Sequence, residues 1–298
     1  MIPGRKIVLS ASRRTDIPAF YMDWFMACLA KGHFNVANPY NRRIRRVPAT
    51  PDKVDTIVFW SKNFEPFIAG GYGPVLEKRG FHLFFNFTLN SVSAMLEPRV
   101  PPLNARLKQL AWICEQHHPQ MVNWRFDPLC FFETNRGGAG DNLGDFEAIA
   151  LWAARLGIRR CITSFMDWYP KIQKRLKRSS VAVFRHLSMD ARIRTITEMA
   201  HFLEPLHIEL QLCCEQELLE RLPAEVKAVG AACIPGPLIQ AQFKGDIELK
   251  KDSGQRRAKG CGCSVSVDIG SYRDHPCYHN CLFCYANPTA DPAPGRGG

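Results

Sequence analysis

The sequence predicts an α/β fold with a parallel sheet, and the strand count points to a (β/α)8 barrel of the TIM type. Eight short apolar or β-branched runs recur, and longer amphipathic stretches separate them. Runs this short and apolar suit strands buried on both faces. Their alternation with helical stretches is the pattern of a parallel sheet covered by helices. A third observation is that several runs end in polar residues, where such barrels build their sites.

In order, the predicted strands are Lys6–Ser12, Phe34–Asn38, Thr56–Ser61, Phe81–Leu89, Met121–Asp127, Arg160–Phe165, Ile208–Cys213 and Ser264–Ile269. Helices are predicted over Pro18–Ala30, Leu103–Glu115, Asp145–Leu156 and Ala191–Leu203, each with apolar residues at helical spacing. Asn135–Asn142, with three glycines, reads as a flexible loop without the ending of a phosphate cradle. No repeat or linker divides the chain, so residues 1–287 read as one domain and 288–298, rich in Pro and Gly, as a disordered tail.

A chain of 298 residues buries enough surface to fold without disulfides, so its twelve cysteines call for another explanation. Five of them fall between Cys261 and Cys284, a clustering that reads as metal binding. The N-terminal run is broken at once by Arg13, Arg14 and Asp16, unlike a signal peptide, and no apolar stretch is long enough to span a membrane. A cytoplasmic, reducing setting is therefore expected.

The net charge is +11, which suits either a solvated basic surface or a polyanionic partner. The basic residues collect at Arg42, Arg43, Arg45 and Arg46, and at Lys171, Lys174, Arg175, Lys177 and Arg178. Neither group has the interleaved aromatics of an RNA-recognition module.

The sharpest motif is Pro276-Cys277-Tyr278-His279-Asn280-Cys281-Leu282-Phe283-Cys284-Tyr285, a CxxxCxxC spacing. Three thiolates this close can hold three irons of a [4Fe-4S] cluster and leave the fourth iron open for a cofactor. Zinc competes, since Cys281 and Cys284 form a CxxC pair, but zinc asks for four ligands. His275 and His279 flank the motif as further candidate ligands. A second site, a closed [4Fe-4S] cluster or zinc, is expected from Cys214, Cys233, Cys261 and Cys263, with Cys213 an alternative to Cys214. Cys261 precedes its strand whereas Cys214 follows one, which would set them at opposite sheet ends unless the chain folds back. Cys28, Cys114, Cys130 and Cys161 lie in apolar surroundings and read as core thiols.

Three stretches resemble the DUF1848 family of uncharacterised bacterial proteins. They are Ser10-Ala11-Ser12-Arg13-Arg14-Thr15-Asp16-Ile17-Pro18-Ala19, Phe59-Trp60-Ser61-Lys62-Asn63, and the segment from Cys261-Gly262-Cys263 through Ser266–Tyr272 to Cys277–Asn287. That resemblance implies no reaction. The CxxxCxxC loop with its adjacent aromatics also resembles radical S-adenosylmethionine enzymes, spore photoproduct lyase included. Those carry the loop after the first barrel strand, and here it follows the last. A circularly permuted or incomplete barrel would reconcile the two, with Ser264–Ile269 pairing beside Lys6–Ser12. The superfamily's glycine-glycine-glutamate segment would fall at Ser12–Asp16, where the triplet is absent.

This second resemblance implies reductive cleavage of S-adenosylmethionine and hydrogen abstraction from a substrate, with nucleotides or nucleic acid favoured by charge. Flavodoxin or ferredoxin would be the electron donor. The cofactor carboxylate needs a cation and the ribose needs acceptors. Arg13, Arg14, Lys62 and Arg125 are candidates for the first role, and Asp16, Asn86 and Asp127 for the second, with Asp167 as a further acceptor. A structural salt bridge, for instance Arg125 with Asp167, is the alternative for each. The sequence names no catalytic residue. The rival function is a metal-stabilised basic protein that binds nucleic acid without radical chemistry.

Overall fold

A computed structural model describes residues 5–39, 41–134, 138–178 and 182–286. Its centre is an eight-stranded parallel sheet. The strands are β1 (Ile7–Ala11), β2 (Val54–Ser61), β3 (His82–Thr88), β4 (Val122–Arg125), β5 (Arg160–Thr163), β6 (Glu209–Leu212), β7 (Ala228–Gly230) and β8 (Val267–Asp268). They lie in the order β7-β6-β5-β4-β3-β2-β1-β8. The last strand thus pairs with the first, Leu9 opposite Val267 and Ser10 opposite Asp268.

The central strands are buried along nearly their whole length, as their apolar runs require. Successive side chains leave opposite faces of a strand, and the two faces differ. Leu9, Ile57, Phe59, Phe85, Phe87 and Trp124 face the main core under the helices. Val8, Val58, Phe84 and Ile162 face a smaller cluster that contains Cys214, Cys233, Cys261 and Cys263.

Seven of the eight predicted strands are in this sheet. Phe34–Asn38 is not: His33–Ala37 pairs antiparallel with Ile44–Pro48 in a separate hairpin, whose second strand carries exposed Arg45 and Arg46. The eighth place belongs to β7, only three residues long and without an apolar run to announce it. The expected loop over Asn135–Asn142 contains a strand at Ala139–Asp141, paired antiparallel with Phe131–Thr134, in a three-stranded sheet completed by Ala182–Phe184. The helix expected over Pro18–Ala30 is divided at Tyr21 into Ile17–Phe20 and Met22–Ala30. The others stand at Leu103–Gln116, Phe146–Arg155 and Met189–Leu203. No helix among the described residues is long and apolar enough to cross a membrane.

The expected closed barrel is not found: among the described residues β7 and β8 form no ladder. Two backbone hydrogen bonds link the chain beyond β7 to the chain before β8, Gly262 N to Ala231 O (3.1 Å) and Ser264 N to Ile234 O (3.0 Å), and Gly236 N donates to Ser264 Oγ at 3.2 Å. Glycine is required at 262, because a Cβ there would lie 2.8 Å from the Ala231 carbonyl oxygen. The predicted tail at 288–298 lies outside the described residues.

Candidate metal centre

Both cysteine groups sit around the C-terminal edge of the sheet, and each has its own charged surroundings. The CxxxCxxC loop follows β8. Asn280 adopts φ 56°, a left-handed conformation that asparagine tolerates better than most residues, and this turns the chain between Cys277 and Cys281. Arg175, from the helix Pro170–Arg178, clamps the loop: its Nη1 donates to the carbonyls of Leu282 (2.7 Å), Cys284 (3.0 Å) and Cys281 (3.4 Å). One of the predicted basic residues thus holds the loop backbone.

Asp16 is the polar hinge of this region. Its Oδ1 caps the helix Ile17–Phe20 by accepting from Ala19 N at 3.0 Å. Its Oδ2 accepts from Lys62 N at 2.9 Å and contacts His279 Nε2 at 2.8 Å. His279 is thereby buried on Asp16 and the Arg99 carbonyl. His275 packs its ring against Trp24, with centroids 4.1 Å apart, and against Tyr21. His279 is thus engaged through both ring nitrogens, whereas His275 Nδ1 is buried without a hydrogen-bond partner.

Lys62 extends over the Phe283 ring and pairs with buried Glu97 at 2.6 Å. Burial works against the lysine's charge, but Glu97 and Cys281 outweigh it and raise its pKa. Glu97 was not foreseen. Its remaining oxygen, Oε2, is buried without a hydrogen-bond partner, and its only sequence signal is an acid amid the polar Asn90–Arg99 stretch. Burial pushes the Cys277 and Cys281 thiols up, and nearby negative groups add to this: Cys284 and Asp16 for Cys277, Glu97 for Cys281. Cys281 and Phe283 share a small apolar cluster with Cys130, whose sulfur lies 3.8 Å from the Pro128 carbonyl.

The second group contains five cysteines. Cys213 Sγ lies 3.8 Å from Cys214 Sγ and 4.0 Å from Cys233 Sγ. Cys214, Cys233, Cys261 and Cys263 share one buried cluster with Cys213 packed against it, so the five thiols form a ring. The obstacle expected for Cys261 is removed because the chain does fold back: Cys261–Ser264 runs beside Ala231–Ile234. Cys214 adopts φ 62°, which turns it out of the strand's alternation and toward its neighbours.

Within the ring one thiol differs from the rest. Hydrogen bonds from Cys233 and Cys261, and the charge of Arg13, draw Cys263 well below the ordinary thiol range. Cys213 is pushed up to about 12, first by its hydrogen bond to Cys214. Cys214 stands at about 11, lowered by Cys213 but raised more by Cys261 and burial. Among the described residues, no group of three or more His, Cys, Asp or Glu side chains is placed so as to hold a metal ion.

The residues expected to bind one cofactor divide between these regions. Asp16 and Lys62 lie beside the CxxxCxxC loop. Arg13, Asn86, Arg125 and Asp127 belong instead to the five-cysteine side. Arg125 Nη1 donates to Cys233 Sγ at 2.6 Å and its Nη2 pairs with Asp127. Asp127 also accepts from Ser164 Oγ at 2.5 Å. Arg13 pairs with Asp268 at 3.2 Å and donates to Ser266 Oγ at 3.1 Å. The two guanidiniums stand over Trp60, each 5.2 Å from a ring centroid. Asn86 Nδ2 donates to the Cys233 carbonyl at 2.9 Å and its Oδ1 accepts from Asn123. Arg14 is used structurally, holding the carbonyls of Ala37 and Gly270 at 3.1 Å each. The suggested bridge between Arg125 and Asp167 is absent; Asp167 pairs with Arg256 and Lys259. Cys114, Cys130 and Cys161 are buried as expected, and Cys28 is half-buried.

No curated protein matches the chain. Residues 8–286 match the model of the family described as a domain of unknown function, DUF1848, and the chain belongs to that family.

Proposed function

We propose that the protein is an iron-sulfur enzyme of the radical S-adenosylmethionine type, with Cys277, Cys281 and Cys284 holding a [4Fe-4S] cluster. The observation that carries this reading is that three cysteines share one short loop at the C-terminal edge of the sheet while His279, the histidine inside the motif, is engaged by Asp16 and the Arg99 carbonyl. The donor set fits such a cluster in kind, since thiols are its ligands. Three loop thiols would leave one position on the cluster for a small molecule, and His275, whose Nδ1 is buried without a hydrogen-bond partner, is the side chain that would compete for it. When bound, a cluster of this kind supplies the electron for reductive cleavage of S-adenosylmethionine.

The chain's own residues have supporting tasks in this reading. Arg175 fixes the loop backbone through three carbonyls. Phe283 and its apolar neighbours exclude water. Lys62 keeps its charge beside the loop and has donors left for a carboxylate after Glu97 takes one. Asp16 holds the Lys62 backbone and His279 in a fixed relation. We also read the sheet as an incomplete (β/α)8 barrel, the hydrogen bonds of Gly262 and Ser264 standing where a β7–β8 ladder would close it. The exposed arginines of the Ile44–Pro48 strand favour an anionic substrate, a nucleotide or nucleic acid. A flavodoxin or ferredoxin would deliver the electron.

The test is anaerobic purification of the full chain, iron and sulfide analysis, and electron paramagnetic resonance after dithionite reduction, with and without S-adenosylmethionine. A cluster signal that shifts on adding the cofactor and vanishes in Cys281→Ala is the expected result. A signal indifferent to the cofactor, or an iron content that does not fall in Cys281→Ala, would overturn the reading.

A further inference from the structure

We propose that Cys233, Cys261, Cys263 and the Cys213–Cys214 pair form a second, thiolate-only metal centre that is closed by the protein and takes zinc. It is independent of the CxxxCxxC loop.

The first argument is convergence. The five thiols come from three separate segments, after β6, after β7 and before β8, and meet in one buried cluster. Ordinary core packing brings together side chains of any apolar type. Here the chain also adopts a left-handed residue at Cys214 and needs a glycine at 262 to bring the segments together.

The second argument is charge. Two buried guanidiniums face the ring, and burying a cation is costly unless an anion meets it. Asp127 and Asp268 meet them in part. Arg125 Nη1 is nevertheless spent on Cys233 Sγ at 2.6 Å, and Arg13 Nη2 is buried without a hydrogen-bond partner. A neutral thiol is a weak acceptor. Four thiolates around one divalent ion would give Arg125 Nη1 and Arg13 Nη2 the anionic acceptors that neutral thiols do not.

The third argument is spacing. Zinc bonds to sulfur at about 2.3 Å, so the edge of its tetrahedron is roughly 3.8 Å. Two sulfur separations, 3.8 and 4.0 Å around Cys213, are near that edge, and the remaining thiols must draw in as the ion binds. Each thiol that ligates gives its proton to solvent as its Zn–S bond forms, and no redox partner is needed.

The test is elemental analysis of the full chain from cells supplied with both zinc and iron. About one zinc per chain is expected in the wild type. The double variant Cys261→Ser/Cys263→Ser should lose it and keep any iron, whereas Cys281→Ala should keep it. A readout on unaltered protein guards against misfolded variants: a mercurial reagent is titrated in while released zinc is followed with a chromophoric chelator. Release that completes with about four or five thiols blocked supports the centre. Zinc that is absent from the wild type or retained in the double variant overturns the proposal. Iron in its place, lost with the same double substitution, overturns the choice of zinc. Failure of the radical reading would show separately, as a lack of iron dependent on Cys281.

Discussion

The two cysteine regions differ in how they handle charge. The CxxxCxxC loop has the clearer sequence spacing, yet burial and nearby carboxylates push its Cys277 and Cys281 thiols up. The ammonium beside it, Lys62, is already paired with Glu97. The five-cysteine ring is scattered in sequence, yet two guanidiniums reach it and one of its thiols, Cys263, is drawn down. The comparison teaches that spacing reports which cysteines share a loop, whereas thiolate readiness depends on cations delivered by other strands. The loop is organised by the Asp16–His279 contact and the Arg175 clamp, the ring by Arg13, Arg125 and Trp60. Substitutions should therefore perturb the regions one at a time.

The largest effect is expected from Lys62→Met. It leaves Glu97 buried without its cation, and removing one partner of a buried pair costs about 3–5 kcal/mol. Urea unfolding measures the loss, and a drop of only about 1 kcal/mol would mean that Glu97 finds another partner. Pairing Lys62→Met with Glu97→Gln should recover part of the loss, because the buried charge is then gone.

Asp16→Ala should rank next, at about 2–3 kcal/mol, since it removes a helix cap and the anchor for Lys62 N and His279. Its effect should be confined to the loop region. Hydrogen exchange of the amides around Cys277–Cys284 should accelerate while those around Cys261–Ser264 stay protected. Uniform acceleration across both would break the distinction drawn between them.

Gly262→Ala probes the other side. The new methyl would press on the Ala231 carbonyl, and the chain around Cys261 must shift at a cost of about 1–3 kcal/mol. The same exchange measurement should show the reverse pattern, with loss near Cys261–Ser264 alone. An unchanged unfolding midpoint would show that the two segments approach less closely than 2.8 Å requires.

The reach of the sequence follows the same division. The long buried strands β2 and β3 announce themselves through unbroken apolar runs. The three-residue β7 does not, and Phe34–Asn38 has strand character that cannot say which sheet receives it. The cysteine spacing was readable, and so was the pairing of the last strand with the first. The partition of the strand-end residues was not. Period two sends Ser10, Trp60, Asn86, Asn123 and Arg125 from four adjacent strands toward one another, a relation that depends on register. Glu97 and Arg175 lie outside the main strands, and only tertiary packing brings them to the loop.

The smallest effect should be seen in the pH dependence of the metal-free protein. Cys277 and Cys281 hold their protons more tightly when folded than an ordinary thiol of about 8.5. As pH rises above that value the unfolded chain releases protons that the folded chain retains, so the stability they contribute below about 8.5 is lost. Cys263 has the opposite sign. Its folded value lies below the unfolded one, so its contribution is present above about 8.5 and is lost as pH falls through the folded value. Cys277→Ala should therefore flatten the alkaline decline, and Cys263→Ala should flatten the rise on the approach to pH 8.5. Each effect amounts to about 1.4 kcal/mol for every tenfold difference in proton affinity between the folded and unfolded thiol. Urea midpoints taken from neutral to alkaline pH on the two variants separate these signs. Parallel curves for both would show that the two regions hold their thiols alike.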